Sequence, residues 1–219
     1  MAFVLHLLRP EDHFLDVGAN VGSYTVLAGG AVGARVTAVE PIPETYAHLE
    51  RNIALNGISG RVRACQVGLS DAPGTLRFTK DLDTVNHILT LGEDHPAIEV
   101  PVQTLDKLVS QDVPVLIKID VEGHERSVLL GASSTLDDPR LLAVVMETNG
   151  SGTRYGIEDS ELVSLMLDHG FSAYGYDPFH RQLVDTSLTD GNTVFVRDPA
   201  VVAARVRASK RYRLVNGTI

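Results

Sequence analysis

The sequence predicts an α/β fold on a mainly parallel sheet, and two patterns predict it. Short apolar runs alternate with helix-length segments along most of the chain. The first run ends in a glycine turn, Gly18 to Gly22, that leads straight into a helical segment, the general device for seating a nucleotide-like ligand. At 219 residues, 44% hydrophobic and 21% charged, the chain suits a single domain over 1–219 with a core of its own.

Residues 1–9 are briefly apolar. They lack the basic start and small-residue cleavage site of a signal peptide, and read as a short helix packed on the domain. Residues 13–17 form the first strand and 22–30 the helix after it. Residues 35–40 are rich in β-branched side chains and form the second strand. A helix over 44–56 follows, with Gly57 as its stop, and 62–69 is the third strand. Two extra strands, 75–80 and 98–103, then interrupt the alternation. The polar segment between them, 81–96, carries Asn86, His87 and His95 and reads equally well as a substrate loop or a surface excursion. A short helix over 105–110 precedes the fourth strand at 113–119, a helix over 125–136, the fifth strand at 141–147 and a helix over 159–169. The last two strands, 171–176 and 192–196, are joined by a polar loop with no helix. That predicts an antiparallel pair at the sheet edge.

A net charge of −9 disfavours a nucleic-acid partner, and the most basic stretch, 205–213, reads as a solvated helix face. Cys65 is the only cysteine and lies in an apolar run, so it reads as core. No intrachain disulfide or cysteine-based zinc site can form. No apolar stretch is long enough to span a bilayer. The expected setting is the cytoplasm, with no membrane partner and with a homodimer compatible with the sequence.

The ligand of the glycine turn follows from charge. Asn20 occupies the second glycine position of the dinucleotide fingerprint, and no phosphate-binding loop of the G-x-x-x-x-G-K-[ST] type occurs. Asp16 precedes the turn, where it would repel a pyrophosphate but attract an ammonium group. Glu40 ends the second strand 22 residues after Gly18, the place of a carboxylate that bonds a ribose diol. These acids favour S-adenosylmethionine (SAM) over NAD, with Asp16, Gly18, Ala19, Asn20, Gly22, Glu40 and Pro41 as its contacts. Gly18 would turn the chain sharply and Gly22 would allow close approach of the ligand or the helix.

The fourth strand ends in Ile119-Asp120-Val121-Glu122-Gly123-His124-Glu125 and the fifth in Glu147-Thr148-Asn149. Ligands of open α/β sheets sit at these carboxyl ends. Asp120, Glu122 and His124 are therefore the candidate catalytic groups. Glu147, Asn149 and His87 are candidates for binding substrate. Glu125 could instead complement the N-terminus of the following helix.

Several motifs together, Asp16 to Gly22, Val39-Glu40-Pro41, 52–57, 118–125 and 129–132, resemble the FkbM family of methyltransferases over about residues 14–147. The resemblance implies the class I SAM-dependent fold, a seven-stranded Rossmann-like sheet with an antiparallel last strand and helices on both faces. It implies O-methylation of a small-molecule acceptor, typically a sugar or secondary metabolite. It also implies that Asp120, Glu122, Gly123 and Glu125 form a second family motif.

Methyl transfer to a hydroxyl needs alignment and removal of a proton. Asp120, Glu122 or His124 could take that proton directly. The slightly less favoured route is a divalent cation such as magnesium on Asp120, Glu122 and Glu147. N-methylation of an amino acid or peptide amine is the runner-up. A non-catalytic SAM-binding subunit and a nicotinamide oxidoreductase are the readings from other classes.

Overall fold

The computed structural model describes residues 1–80, 87–90, 93–110, 112–185, 191–214 and 217–219. In chain order the strands are β1 His13–Val17, β2 Arg35–Val39, β3 Val62–Cys65, β4 Gly68–Leu69, β5 Gly74–Thr79, β6 Ala97–Gln103, β7 Leu116–Ile119 and β8 Ala143–Thr148. β9 Ser172–Asp177, β10 Gln182–Asp185 and β11 Gly191–Val196 follow, and a two-residue hairpin lies at the C-terminus. The helices are α1 Ala2–Leu7, α2 Ser23–Val26, α3 Pro43–Leu55, α4 Leu105–Val109, α5 Glu125–Leu130, α6 Ser133–Asp137, α7 Asp159–Asp168 and α8 Pro199–Arg207.

Among the described residues the main sheet has the order β3-β2-β1-β7-β8-β11-β9-β10. The first five strands are parallel, and β11 runs antiparallel to both β8 and β9, as expected. The sheet has eight strands instead of seven. Part of the polar loop read between the last two strands turns back at Arg181 and pairs with β9 as β10.

Strand alternation divides the core between the two faces of the sheet. Phe14, Leu116 and Val145 pack with α1 and α8 on one face. Leu15, Val17, Ile117, Ile119, Val144 and Met146 pack with α4, α5 and α7 on the other. Asp16 and Lys118 alternate with the second set and therefore share the face of α1. They are direct partners in the β1–β7 register, and Lys118 is in turn opposite Val145.

Four segments differ from their expected form. The run 62–69 splits, with β3 in the main sheet and β4 in a small sheet of order β4-β6-β5. Gly68 permits this, since a Cβ there would stand 2.8 Å from Val102. The helix after the glycine turn continues as a π-helical turn over Leu27–Val32 and stops at Gly33, whose φ is +92°. The helix expected over 125–136 breaks at Gly131, where a Cβ would fall 2.1 Å from the Ser70 carbonyl oxygen. Finally, the basic stretch 205–213 is not simply solvated. Arg205 donates to the Leu7 carbonyl and pairs with Asp12, while Lys210 donates to the Ala31 carbonyl.

Candidate active site

A cavity of about 310 Å³ opens at the carboxyl ends of β1, β2 and β7. Gly18, Ala19, Asn20, Glu40, Pro41, Asp120 and Glu122 line it, so most of the expected cofactor residues and two of the expected catalytic ones meet there. Ser23, Tyr24, Ile42, Thr45, Phe78 and Lys118 line it too, and the sequence did not single these out.

Glu40 is clamped. Its Oε2 accepts from the Asn20 N–H and its Oε1 from the Ile42 N–H, both at 3.0 Å. Burial holds its carboxyl above the ordinary range, against these two bonds. Each oxygen keeps a further lone pair for a diol. Asn20 adopts φ +52° to present its N–H, a conformation that asparagine tolerates better than most residues.

Gly18 turns the chain at φ +70°, and Gly22, at φ +92°, gives close approach to a helix. A Cβ on Gly18 would lie 1.8 Å from the Asp120 carbonyl oxygen, so Gly18 lets β1 pass close to the loop after β7. A Cβ on Gly22 would lie 2.7 Å from Leu49, so Gly22 seats α2 against α3 and does not line the cavity. Both have positive φ, which adds strain to any substitution.

Asp16 lies one layer beneath the cavity and is fully buried. Its Oδ2 accepts from the Thr25 hydroxyl at 2.6 Å, and its Oδ1 is 3.7 Å from Lys118 Nζ with no hydrogen bond of its own. Burial raises its pKa, against the pull of Lys118. The Lys118 ammonium donates to the Gly18 carbonyl at 2.7 Å and lies 3.3 Å from Asp120 and 5.5 Å from the Tyr24 ring. It is the single cationic side chain in the described lining. The signal for it was a lysine inside the buried strand Leu116–Ile119, since lysine is seldom fully buried without a partner.

Asp120, Glu122 and Glu147 converge, each offering an oxygen within 4.8 Å of the others. Glu122 sits at φ +55°, a strained turn of the kind that collects at functional sites. Glu125 fixes that turn by accepting from the Val121 and Gly123 N–H groups at 3.0 and 3.3 Å. Burial, then the charges of Asp120 and Glu122, raise the Glu147 pKa to about 7. Glu122 is raised as well, by burial and then by Asp120.

The remaining candidates lie outside this cluster. His124 Nε2 is 3.1 Å from the Ser70 hydroxyl, and the ring lines a small apolar slot that adjoins the cofactor cavity, with Val39, Val67 and Phe78. Burial lowers its pKa. Asn149 is exposed, and its Oδ1 accepts from the Ser151 N–H at 2.9 Å, closing a local turn. His87 is buried, 3.4 Å from Glu93, and its charge when protonated acts on Glu122. In the segment 81–96, residues 81–86, with Asn86, and 91–92 lie outside the described residues.

The cavity suits SAM by its donor set. It joins a clamped carboxylate and the apolar walls Pro41, Ile42 and Phe78 to a mixed Lys118–Asp120 pair. A pyrophosphate would meet four carboxylates for one lysine, counting Asp16 beneath the floor with Glu40, Asp120 and Glu122.

Known proteins agree. The family model of the methyltransferase FkbM domain matches residues 16–173. The 31-O-demethyl-FK506 methyltransferase FkbM of Streptomyces tacrolimicus is 30% identical, over 75% of this chain and 74% of its own. The hexuronic acid methyltransferase AglP of Haloferax volcanii is also 30% identical, over 75% of this chain and 65% of its own. In fold, the chain is similar to a solved methyltransferase FkbM from Methylobacillus flagellatus, with a TM-score of 0.59 at 17% identity. That likeness covers 89% of this chain but 47% of the larger protein. On the domain match and these relatives, the chain belongs to the FkbM family of SAM-dependent methyltransferases.

Proposed function

We propose that this chain, acting as one domain, methylates a hydroxyl of a small-molecule acceptor, with Glu147 as general base. The observation that carries the proposal is the Glu147 carboxyl at about pKa 7, set against Asp120 and Glu122 at the end of the cofactor cavity. A base poised near neutral pH is ionised in a useful fraction and still holds a proton well. Bound SAM supplies the methyl group as an electrophile on a sulfonium. The Glu147 carboxylate would take the proton that the acceptor hydroxyl gives up on methylation.

The other residues position. Glu40 holds the ribose, and Lys118 and Asp120 hold the carboxylate and ammonium of the methionine end. Asp16 balances Lys118 from below. The named reactions of the relatives support oxygen as the acceptor atom, since one is called a 31-O-demethyl-FK506 methyltransferase and another a hexuronic acid methyltransferase. The setting is the cytoplasm. A lone cysteine suits a reducing compartment, and no described helix is long and apolar enough to cross a membrane.

The test is a pH–rate profile with labelled SAM. Turnover of the wild type should rise through about pH 7. Glu147→Gln should lose roughly 10²–10⁴-fold in kcat, the usual weight of general-base catalysis, with SAM affinity unchanged. Full turnover in Glu147→Gln would remove the proposed base. Turnover retained there and rising with pH would point to an amine acceptor.

A second reading rests on the spacing of the three carboxylates, which suits a magnesium ion bound through oxygen. Loss of activity after chelation, restored by magnesium, would establish it. Full activity in chelator would exclude it.

A further inference from the structure

At the end of the sheet opposite the cofactor, a cavity of about 290 Å³ opens beside the amino ends of β1, β2 and β3. His13, Arg35, Thr37, Arg61, Arg63 and Asp112 line it. None of its lining residues lines the cofactor cavity, and the length of β1, about 13 Å, separates the two. Register assembles the group. His13 is the direct partner of Arg35, and Thr37 of Arg63. Side chains two apart on a strand share a face, so these four stand together on the face of α4. Asp112, which follows α4, closes one side.

The floor is fixed by its own bonds. His13 and Thr37 are both buried. His13 Nε2 stands 2.9 Å from the Thr37 hydroxyl, and its Nδ1 stands 2.8 Å from the Asp112 carbonyl oxygen. Burial lowers the His13 pKa, so the ring adds no charge above pH 7. Arg35 donates to both Asp112 carboxylate oxygens, at 2.7 and 3.0 Å, which holds its guanidinium at the wall.

The rim differs, because its charges are unmatched. Arg61 and Arg63 are exposed, and neither forms an ion pair among the described residues. Arg63 bonds the neutral Cys65 thiol, and Arg61 lies along the turn at Gly33. Three guanidiniums thus face one carboxylate, which leaves two positive charges over. They gather at one cavity in a chain of net charge −9. Guanidinium forks match the oxygens of a tetrahedral anion. At about 30 Å³ per water the cavity has room for roughly ten waters, more than one such anion fills.

We infer that this cavity is a second ligand site, and that it binds the dianionic phosphoryl group of a small molecule between Arg61 and Arg63, with Arg35 behind. The two excess charges match a dianion. Free phosphate and phosphomonoesters both supply that group, and the spare volume beside the Thr37 hydroxyl suits an ester with a compact polar body. Asp112 is the one lining group that opposes the ligand.

The experiment is calorimetry on the SAM-saturated protein at pH 8 and low salt, where a phosphate ester is a dianion. Glucose 6-phosphate, inorganic phosphate and glucose are the probes. Glucose 6-phosphate should bind at one site per chain, and glucose should not bind. Tighter binding of the ester than of phosphate identifies a phosphomonoester as the ligand, and equal binding identifies free phosphate. Arg61→Ser and Arg63→Ser should each weaken binding about tenfold, and together about 100-fold, by the weight of a hydrogen bond to a charged group. Asp112→Asn should tighten it about threefold, the weight of one exposed charge. SAM affinity and methyl transfer should stay within about twofold of wild type in the two arginine variants, since the sites are far apart. Thermal melts report folding, and the exposed Arg61 and Arg63 can be replaced without opening the core. No saturable binding of glucose 6-phosphate or phosphate, or unchanged affinity in the folded double variant, would overturn the inference. A single-stranded oligonucleotide that binds more tightly than either, and is lost in the double variant, would overturn it in favour of a nucleic-acid surface.

Discussion

Lys118 is buried yet sits between two carboxylates, 3.7 Å from Asp16 and 3.3 Å from Asp120. Removing one partner of a buried pair leaves the other uncompensated. Lys118→Met is expected to destabilise the protein by about 3–5 kcal/mol, read by urea denaturation, and the added change Asp16→Asn should recover part of that loss. At Glu40, replacement by alanine removes the diol acceptor together with the clamp on the Asn20 and Ile42 N–H groups. SAM binding should weaken by about 1.5–3 kcal/mol, roughly 10- to 150-fold by calorimetry. Unchanged affinity in the folded variant would remove Glu40 from the cofactor site. Glu147 makes a prediction independent of activity. Its folded pKa of about 7 exceeds its ordinary value of 4.5, so the folded state binds the proton more tightly. Ionisation therefore weakens the fold progressively from pH 4.5 to 7, and the penalty is level above that. Glu147→Gln should raise the melting temperature at pH 8 and have little effect at pH 4. An equal effect at both would contradict the raised pKa.

At the scale of elements, close backbone approach decides where helices stop and strands leave the sheet. Gly131 divides α5 from α6 because the Ser70 backbone passes over it, and the same chain segment brings Ser70 to His124. Gly131→Ala should destabilise by about 1–3 kcal/mol, since the obstruction is backbone and cannot swing aside. Gly60 is the control. A Cβ there meets nothing within 4 Å, so Gly60→Ala should be neutral or stabilise by up to about 1 kcal/mol. Equal effects at the two sites would show that packing at Gly131 is not what ends the helix. The hairpin of β5 and β6 acts as an element too. It brings Phe78 to the cofactor cavity, and His87 pairs with it through Thr79 beside Glu122.

For the whole molecule, the cofactor cavity joins β1, β2, β7 and the β5 strand of the small sheet, so ligand binding should stabilise the fold broadly. At 100 times its Kd a ligand adds about 2.7 kcal/mol. For a chain of this size that is roughly a 5–11 °C rise in melting temperature. SAM should produce such a shift and NAD should not, because the site sets acids where a pyrophosphate would lie. A shift with NAD alone would reverse the assignment of the cofactor. The two faces of the sheet divide the labour. The face of α4, α5 and α7 is a continuous apolar core, while that of α1 and α8 carries Asp16 and Lys118.

The sequence by itself determined the parallel sheet, the antiparallel last strand, the glycine turn and the acids that choose SAM. Each of these is local: a period, a turn residue or a charge next to its own strand end. The motif residues Asp120 and Glu122 and the strand-end Glu147 were legible for the same reason. Only the tertiary structure decided what depends on neighbours distant in the chain. It placed Asp16 beneath the cavity behind Lys118, because β1 and β7 put these residues side by side. It turned Gly18 and Gly22 into packing positions against Asp120 and Leu49, and sent His124 toward Ser70 and away from the acids. It raised Glu147 to about pKa 7, because burial and three like charges from other strands and loops act on it together, and no periodicity along one chain encodes that sum.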